Sequence, residues 1–513
     1  MARCIIIVSK WQFTLVFGDL WLSHNADVRS EFLMTLTFIM LTLLITGALA
    51  WRAEKHWQGS AKWLALISLA LLATVFAVFV ISHANNQNNN FAQLQVLTQV
   101  DWIKTFNIQY SIALDQLSIV LITLTWLLAI ICVLVSWREI QTHVGFYYFN
   151  LLLTIAGIIG VFIAVDMFLF FFFWEVMLLP MTAIIAIWGH EKRQFAAIKF
   201  FIFTQVSSLL MLVAIIATGY FHLLQTGQLS FYYLDWMMLD IPLEISQYLM
   251  LGFFIAFAVK LPSVPVHSWL PDAHTQAPTA GSVLLAGVLL KTGAYGLIRF
   301  VIFLFPQASV QFTPIAATLA VVSIVYGAKM AFAQQDFKRL VAYSSISHMG
   351  FVMLALFAFN ATAYQGAIVT MVAHGLSSAA LFAMAGMIYQ RIHSRNLADM
   401  GGFWQSAPRM GGFALAFAGA AFGLPGLANF IGEFFSLVGV FQVLPEFAIV
   451  AALGLIGSAI YGMVLFQSSF QGAPKHDIVD LQSRELIICG SLLLMLLVIG
   501  LYPTLLLKFS FGV

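Results

Sequence analysis

Long apolar runs separated by short polar stretches dominate this chain. A membrane-spanning helix needs about 20 mostly apolar residues. That ruler predicts about fourteen spans, at 34–51, 62–82, 112–136, 146–165, 167–189, 197–224, 247–265, 279–303, 313–334, 338–359, 364–389, 411–443, 447–470 and 485–508. Region 83–110, which opens HANNQNNNFAQ, is polar and reads as an extramembrane loop. The expected fold class is therefore all-α, a polytopic membrane helix bundle. Segment 4–22 fits poorly, because its apolar stretches contain Lys10 and Asp19. Three readings fit residues 1–33: a signal-like segment, an extra weak span, or an N-terminal extension upstream of a natural start at Met34, the last being favoured.

Lys and Arg mark the cytoplasmic loops of a membrane protein. The loops after odd-numbered spans carry Arg52, Lys55, Lys62, Arg138, Lys192, Arg193, Lys338, Arg339, Arg391, Arg395, Arg409, Lys475 and Arg484. The even loops carry Lys104 and the helix-end Arg299 as exceptions. This alternation puts the odd loops in the cytoplasm and both ends of the bundle outside.

An internal repeat runs through the spans. Span six has Ser207 and Ser208 where span eleven has Ser377 and Ser378. Span seven breaks at Lys260-Leu261-Pro262, and span twelve at Gly423-Leu424-Pro425-Gly426. Span eight holds Thr292-Gly293-Ala294-Tyr295-Gly296, and span thirteen Gly457-Ser458-Ala459-Ile460-Tyr461-Gly462. An offset of five spans inverts the second unit, and inverted repeats with a broken helix in each are a transporter signature. The organisation expected is an N-terminal helical region over 34–145, two inverted five-helix repeats over 146–303 and 313–470, and a C-terminal span within 471–513.

Composition agrees with the pattern. Hydrophobic residues make up 62% of the 513, charged residues 9%, and the mean hydropathy is +0.96. A soluble domain carries about 25% charge. Net charge is +2 and there is no long basic run, so no nucleic-acid partner is expected; the lipid bilayer is. Cys4, Cys132 and Cys489 are scattered singly, which gives neither a disulfide framework nor a CxxC cluster. Without GxGxxG after a strand or a Walker loop, no nucleotide, flavin or metal is expected in this chain.

Four ionisable residues interrupt the apolar spans: Glu175, Lys260, Lys291 and Glu433. A charge at the bilayer centre costs about 2.5–3.5 kcal/mol by insertion scales, and such residues mark ion or proton routes. Lys260 and Lys291 are candidate proton carriers with Glu175 as partner, since a lysine between desolvation and a carboxylate switches when the partner moves. His348 and His374 suit a relay, because histidine titrates near neutrality. His267, Asp272 and His274 match no metal spacing and are expected to line a cytoplasmic mouth. Asp115, Asp166 and Lys329 lie near span ends, where capping or snorkelling explains them as well as function does.

Four stretches carry a resemblance: VDMFLFFFFWEVMLLP, FAVKLPSVPVHSWLPDAHTQAPTAGSVLLAGVLLKTGAYGLIRF, DFKRLVAYSSISHMGF and GLPGLANFIGEFF. They resemble the antiporter-like membrane subunits of bacterial NADH:quinone oxidoreductase, respiratory complex I, from about residue 110 to the end. KLPSVPVHSWLPDAH is shared with the wider group that includes the multi-subunit cation/proton antiporters. Glu433 is similar to the glutamate of the subunit M (chain 4) type, where the sister types L and N use lysine. The chain also lacks the lateral helix of the L type.

The resemblance implies roles. Glu175 looks like the essential glutamate of span five, Lys260 like the lysine of broken span seven, and Lys291 like the bridging lysine of span eight. His348 and His374 look like central-axis histidines, and Glu433 like the last residue of the axis. It further implies a multi-pass protein of the bacterial inner membrane that lies beside the L and N subunits. NADH, flavin, iron–sulfur clusters and quinone are then expected in partner subunits. Two readings compete: a subunit of a cation/proton antiporter, and a scaffold whose buried charges only fix helix register.

Overall fold

A computed structural model describes residues 26–84 and 94–507, with side chains over 36–82 and 94–507. The weak segment 4–22 and the Asn85–Asn90 stretch lie outside the described residues. The chain folds as α1 (Ala26–Ala53), α2 (Ser60–Ala84), β1 (Gln95–Ile103), β2 (Ile108–Leu114), α3 (Gln116–Glu139), α4 (Val144–Ile163), α5 (Met167–Trp188), α6 (Arg193–Thr226) and α7 (Leu243–Lys260). There follow α8 (Trp269–Gln276), α9 (Thr279–Phe303), α10 (Pro306–Phe332), α11 (Phe337–Leu356) and α12 (Ala361–Ile392). The last four are α13 (Pro408–Ala421), α14 (Ala428–Phe441), α15 (Pro445–Phe470) and α16 (Ser483–Leu501).

Among the described residues, 13 helices are long and apolar enough to cross a membrane. The remaining expected span is the broken twelfth, divided between α13 and α14, each too short to cross alone. Both predicted breaks are present: α7 ends at Lys260 before Pro262, and α13 ends two residues before Gly423. Gly423 and Gly426 have φ of +75° and +94°, a left-handed backbone that favours glycine. In α9 the chain widens into π-turns at Leu285–Leu289 and Leu297–Phe303, on either side of the segment that carries Lys291.

Burial separates an inner set of helices from an outer one. The spanning windows of α9 and α12 are wholly buried and that of α11 is 94% buried, against 28% for α2 and 39% for α6. The outward face of α6 presents Phe195, Ile198, Ile202, Val206, Val213, Tyr220 and Leu224 at helical spacing. The ionisable groups gather on α9, α11, α12 and α14 at the centre.

The region read as a loop contains an antiparallel hairpin, β1–β2, with Gln95 opposite Leu114 and Ile103 opposite Ile108. The alternation in QVLTQVDWI and IQYSIAL was hidden inside a polar stretch. Its return strand leads into α3, where Asp115 accepts from the Ser118 amide and pairs with Arg299 of α9. Asp166 caps α5 through the Phe168 and Leu169 amides and also takes the Gln109 amide. Burial pushes the Asp166 carboxyl up to about 6, against the lowering effect of those three amides. Capping therefore accounts for both aspartates.

At the other end, polar contacts join the odd-numbered loops. Asp272 takes Lys199 at 2.7 Å and Arg339 at 3.9 Å, and Asp336 takes Arg395 at 3.4 Å. Arg391 grips both oxygens of Glu485 at 3.0 and 2.7 Å, which ties α12 to α16. Burial, with the Lys338 and Arg395 charges, pushes the His190 imidazole down to about 3. One residue of the charge count needs correction. Lys338 is not a loop residue; it sits in the first turn of α11, 1% exposed, and donates to the Ala277 carbonyl at 2.9 Å.

Orientation is testable with exposed sites. A cysteine at Lys475 should react with an impermeant maleimide only in inside-out vesicles. One at Lys104, whose side chain is 81% exposed on the hairpin, should react in intact spheroplasts. The reverse pattern would invert the assignment.

Candidate proton-relay site

The axis is built from helix ends and helix middles. Glu175 projects from the third turn of α5, where its Oε1 accepts the Ser208 hydroxyl of α6 at 2.6 Å. Lys260 ends α7 and is 1% exposed. Its ammonium lies 5.5 Å from the Trp174 ring centre and 5.4 Å from that of Phe200. A cation over an aromatic face gains electrostatic attraction without a hydrogen bond. No ion pair of hydrogen-bonding length joins Glu175 to Lys260 among the described residues; the two lie within electrostatic reach of each other, and their short contacts are a hydroxyl and aromatic rings.

Gly293 of α9 packs on the end of α7, where a Cβ would lie 2.8 Å from the Leu261 amide and 2.9 Å from the Phe257 carbonyl. Lys291 is wholly buried on the same helix. Its ammonium donates to the Ala286 carbonyl, within the first π-turn, and meets His374 Nδ1 of α12 at 2.8 Å. A π-turn frees a carbonyl from the regular ladder, and here that carbonyl is a ligand for the cation.

His374 and His348 stand with ring centres 5.3 Å apart. His348 Nδ1 meets Glu433 Oε1 at 2.6 Å, and its Nε2 meets the Tyr461 hydroxyl at 3.2 Å. Both partners are about 1% exposed. The six predicted residues thus fall into three groups: Glu175 near Lys260, Lys291 bonded to His374, and His348 bonded to Glu433.

Two features escaped the sequence reading. Tyr461 sits on the relay histidine, although its repeat motif had been noted only as an architectural match. His274 was expected to line a cytoplasmic mouth. It is instead wholly buried on α8, stacked on Phe382 with ring centres 4.5 Å apart, and within electrostatic reach of both Lys338 and Lys291. Neither of its nitrogens has a hydrogen-bond partner among the described residues. His267 faces Tyr326 and Asp272 serves the ion pairs above, so HSWLPDAH divides between interior and surface.

A bundle of this kind, with two broken helices and a buried acid–base axis, defines a membrane transport protein. Residues 164–460 match the family model described as NADH:quinone oxidoreductase/Mrp antiporter, TM. A relative from Pseudomonas aeruginosa PAO1, NADH-quinone oxidoreductase subunit M, is 46% identical over 92% of this chain and 94% of its own. A chain in the structure of respiratory complex I from Thermus thermophilus with bound NADH superposes with a TM-score of 0.84 at 29% identity, covering 93% of this chain and 98% of that one. A chain of the Mrp complex from Dietzia sp. DQ12-45-1b shares the fold, with a TM-score of 0.82 at 18% identity over 95% and 97%. The chain belongs to the NADH-quinone oxidoreductase subunit M family.

Close backbone approach holds the outer end of the axis. At Gly432, next to Glu433, a Cβ would lie 2.6 Å from the Thr370 amide of α12 and 2.5 Å from its hydroxyl. Overpacking of this kind costs about 1–3 kcal/mol. Gly432→Ala should push α14 off α12 and lower proton pumping by NADH-driven vesicles more than it lowers the amount of assembled complex on a native gel. Equal losses of both would show only a packing role.

Proposed function

We propose that this chain carries protons across the bacterial inner membrane as a subunit of NADH-quinone oxidoreductase. The observation that carries the reading is the pair of buried couples Lys291–His374 and His348–Glu433 at the centre of a bundle with two broken helices. Each couple holds a proton that either member can bind, so charge can shift without leaving an unpartnered ion in hydrocarbon.

In this reading Glu175 and Lys260 take up the driving signal. A change in Glu175's charge or position alters what stabilises the Lys260 ammonium over its two rings. The lysine then yields its proton towards Lys291, and His374, His348 and Glu433 carry it outward. His274 and Lys338 supply a route from the odd-loop side to Lys291, since both are buried and lie in reach of one another. NADH oxidation and quinone reduction, with their flavin and iron–sulfur cofactors, belong to other subunits in this reading. The dispersed cysteines and the lack of a nucleotide motif support that division. The L and N subunits are the proposed neighbours.

The cation/proton antiporter reading shares the fold. The 46% identity to a subunit M over nearly the whole chain, and glutamate rather than lysine at position 433, favour the oxidoreductase.

Glu175→Gln keeps an acceptor for Ser208 but removes the charge. Proton uptake by inverted vesicles should fall to near background, and NADH-driven quinone reduction should slow with it. Near-normal pumping by the assembled complex would favour the scaffold reading.

Lys260→Arg preserves a cation that guanidinium chemistry does not allow to release its proton, and Lys260→Ala removes the cation. Both should pump poorly despite opposite charge. Native pumping by Lys260→Arg would make Lys260 a fixed charge and end the switching account.

A further inference from the structure

The relay is interrupted between its two central couples. His348 has both ring nitrogens engaged, Nδ1 with Glu433 at 2.6 Å and Nε2 with Tyr461 at 3.2 Å. His374, its neighbour at 5.3 Å between ring centres, spends Nδ1 on Lys291 and has a buried Nε2 with no hydrogen-bond partner among the described residues. The two couples are therefore closed upon themselves. A proton on His374 has no hydrogen-bonded acceptor on His348 while Tyr461 occupies that histidine's second nitrogen.

Tyr461 is placed for this role. It is 1% exposed on α15. Glycines bring α15 close to the bundle: at Gly454 a Cβ would lie 2.2 Å from an Ile324 carbon, at Gly457 2.8 Å from Ala328 Cβ, and at Gly462 2.9 Å from a Phe422 ring carbon. The hydroxyl also lies within hydrogen-bonding reach of Ser344, itself buried on α11 and donating to the Val341 carbonyl at 2.8 Å. A phenol has one donor hydrogen and can also accept. Tyr461 can donate to a bare His348 Nε2, or accept from a protonated Nε2 while its own hydrogen turns to Ser344. The matching residue of the first repeat, Tyr295, donates instead to the Phe162 carbonyl at 3.2 Å, which cannot titrate.

Building on the proton-carrying reading above, we propose that Tyr461 is a positioning residue that latches His348 onto Glu433 and away from His374. Transfer proceeds when the ring leaves Tyr461 and turns Nε2 towards His374. The His374 Nε2–H proton passes to the bare Nε2 of His348 while the Lys291 ammonium gives a proton to His374 Nδ1, and the Nδ1 proton of His348 passes to Glu433 Oε1. Lys291 is left as a neutral amine, His374 as a neutral imidazole protonated on Nδ1, and Glu433 with a neutral carboxyl. His348 returns to the latch protonated on Nε2, donates to the tyrosine oxygen, and the phenol hydrogen turns to Ser344. The latch keeps the inner and outer couples from joining except during that turn.

Deleting the hydroxyl tests this. In Tyr461→Phe, His348 Nε2 loses its partner and His374 Nε2 has none, so the two rings should settle against each other and join the axis into one wire. Proteoliposomes holding the assembled complex should then leak protons several-fold faster without NADH, and protons moved per electron pair should fall. Ser344→Ala leaves the latch but removes the second acceptor for the phenol hydrogen. It should pump slowly with no added leak. A proton-tight Tyr461→Phe complex, or a leak of equal size in Ser344→Ala, overturns the latch. Glu175→Gln in the same liposomes separates the two levels of failure. If it too pumps normally, the proton-carrying reading fails; if it is inactive while Tyr461→Phe stays tight, only the latch fails.

Discussion

An ion inside the hydrocarbon layer has no water to solvate it, so each buried charge here must be met by another part of the chain. That need is satisfied in two chemically different ways. Near the hairpin end, Arg299 pairs with Asp115, and at the opposite end Arg391 takes both oxygens of Glu485. Guanidinium does not deprotonate in proteins, so these pairs are fixed and tie α9 to α3 and α12 to α16. Between them the partners change type. Lys291 meets an imidazole, and an imidazole meets Glu433. Each of these can exist with the proton on either side. Stable anchors thus frame a centre whose charges can be redistributed.

The broken helices place those central groups where a helix end can act on them. Lys260 is the last residue of α7, whose final carbonyls are capped from beyond the helix, Ala258 by the Ser263 amide and Val259 by the Trp269 indole. The partial negative charge at a helix C-terminus favours a cation there by about 0.3–1 kcal/mol. The two aromatic faces add a second, hydrogen-free source of stabilisation. Glu433 lies in the second turn of α14, whose N-terminus favours an anion, but the effect fades after the first turn. Its hold therefore rests on His348. The two helix breaks lie beside a base and an acid, and each is met differently: the lysine by ring faces and a helix end, the glutamate by a histidine.

Much of this was legible in the sequence. The apolar runs located the helices, and Pro262 and Gly423 located both breaks, because those residues act through local backbone geometry. Glu175, Lys260, Lys291, His348, His374 and Glu433 were legible because charge and imidazole inside apolar segments are rare. What escaped was three-dimensional. The hairpin's alternation was short and lay in a polar stretch. Lys338 read as a loop charge because its burial comes from α8 and α9 folding over the first turn of α11. The Glu175–Lys260 partnership was inferred from sign and depth, and the two lie within electrostatic reach, but the sequence does not show that Ser208 and the Trp174 and Phe200 rings make the short contacts. The signal for Tyr461 was present in its match to Tyr295, but periodicity cannot tell which atom a hydroxyl meets.

The separation of the axis into closed couples bears on how such a chain does work. An unbroken line of hydrogen bonds from one face to the other would let protons equilibrate at all times, and no gradient could be held. An interrupted line conducts only when its interruptions close. In this bundle the interruption between the two central couples lies between α11 and α12, two buried helices that both contact the half-helix α14, while α11 also contacts the short helix α8. A small displacement of either short helix changes the setting of a histidine without exposing a charge to lipid. The same packing that makes the buried couples tolerable ties them to the helix ends at the breaks.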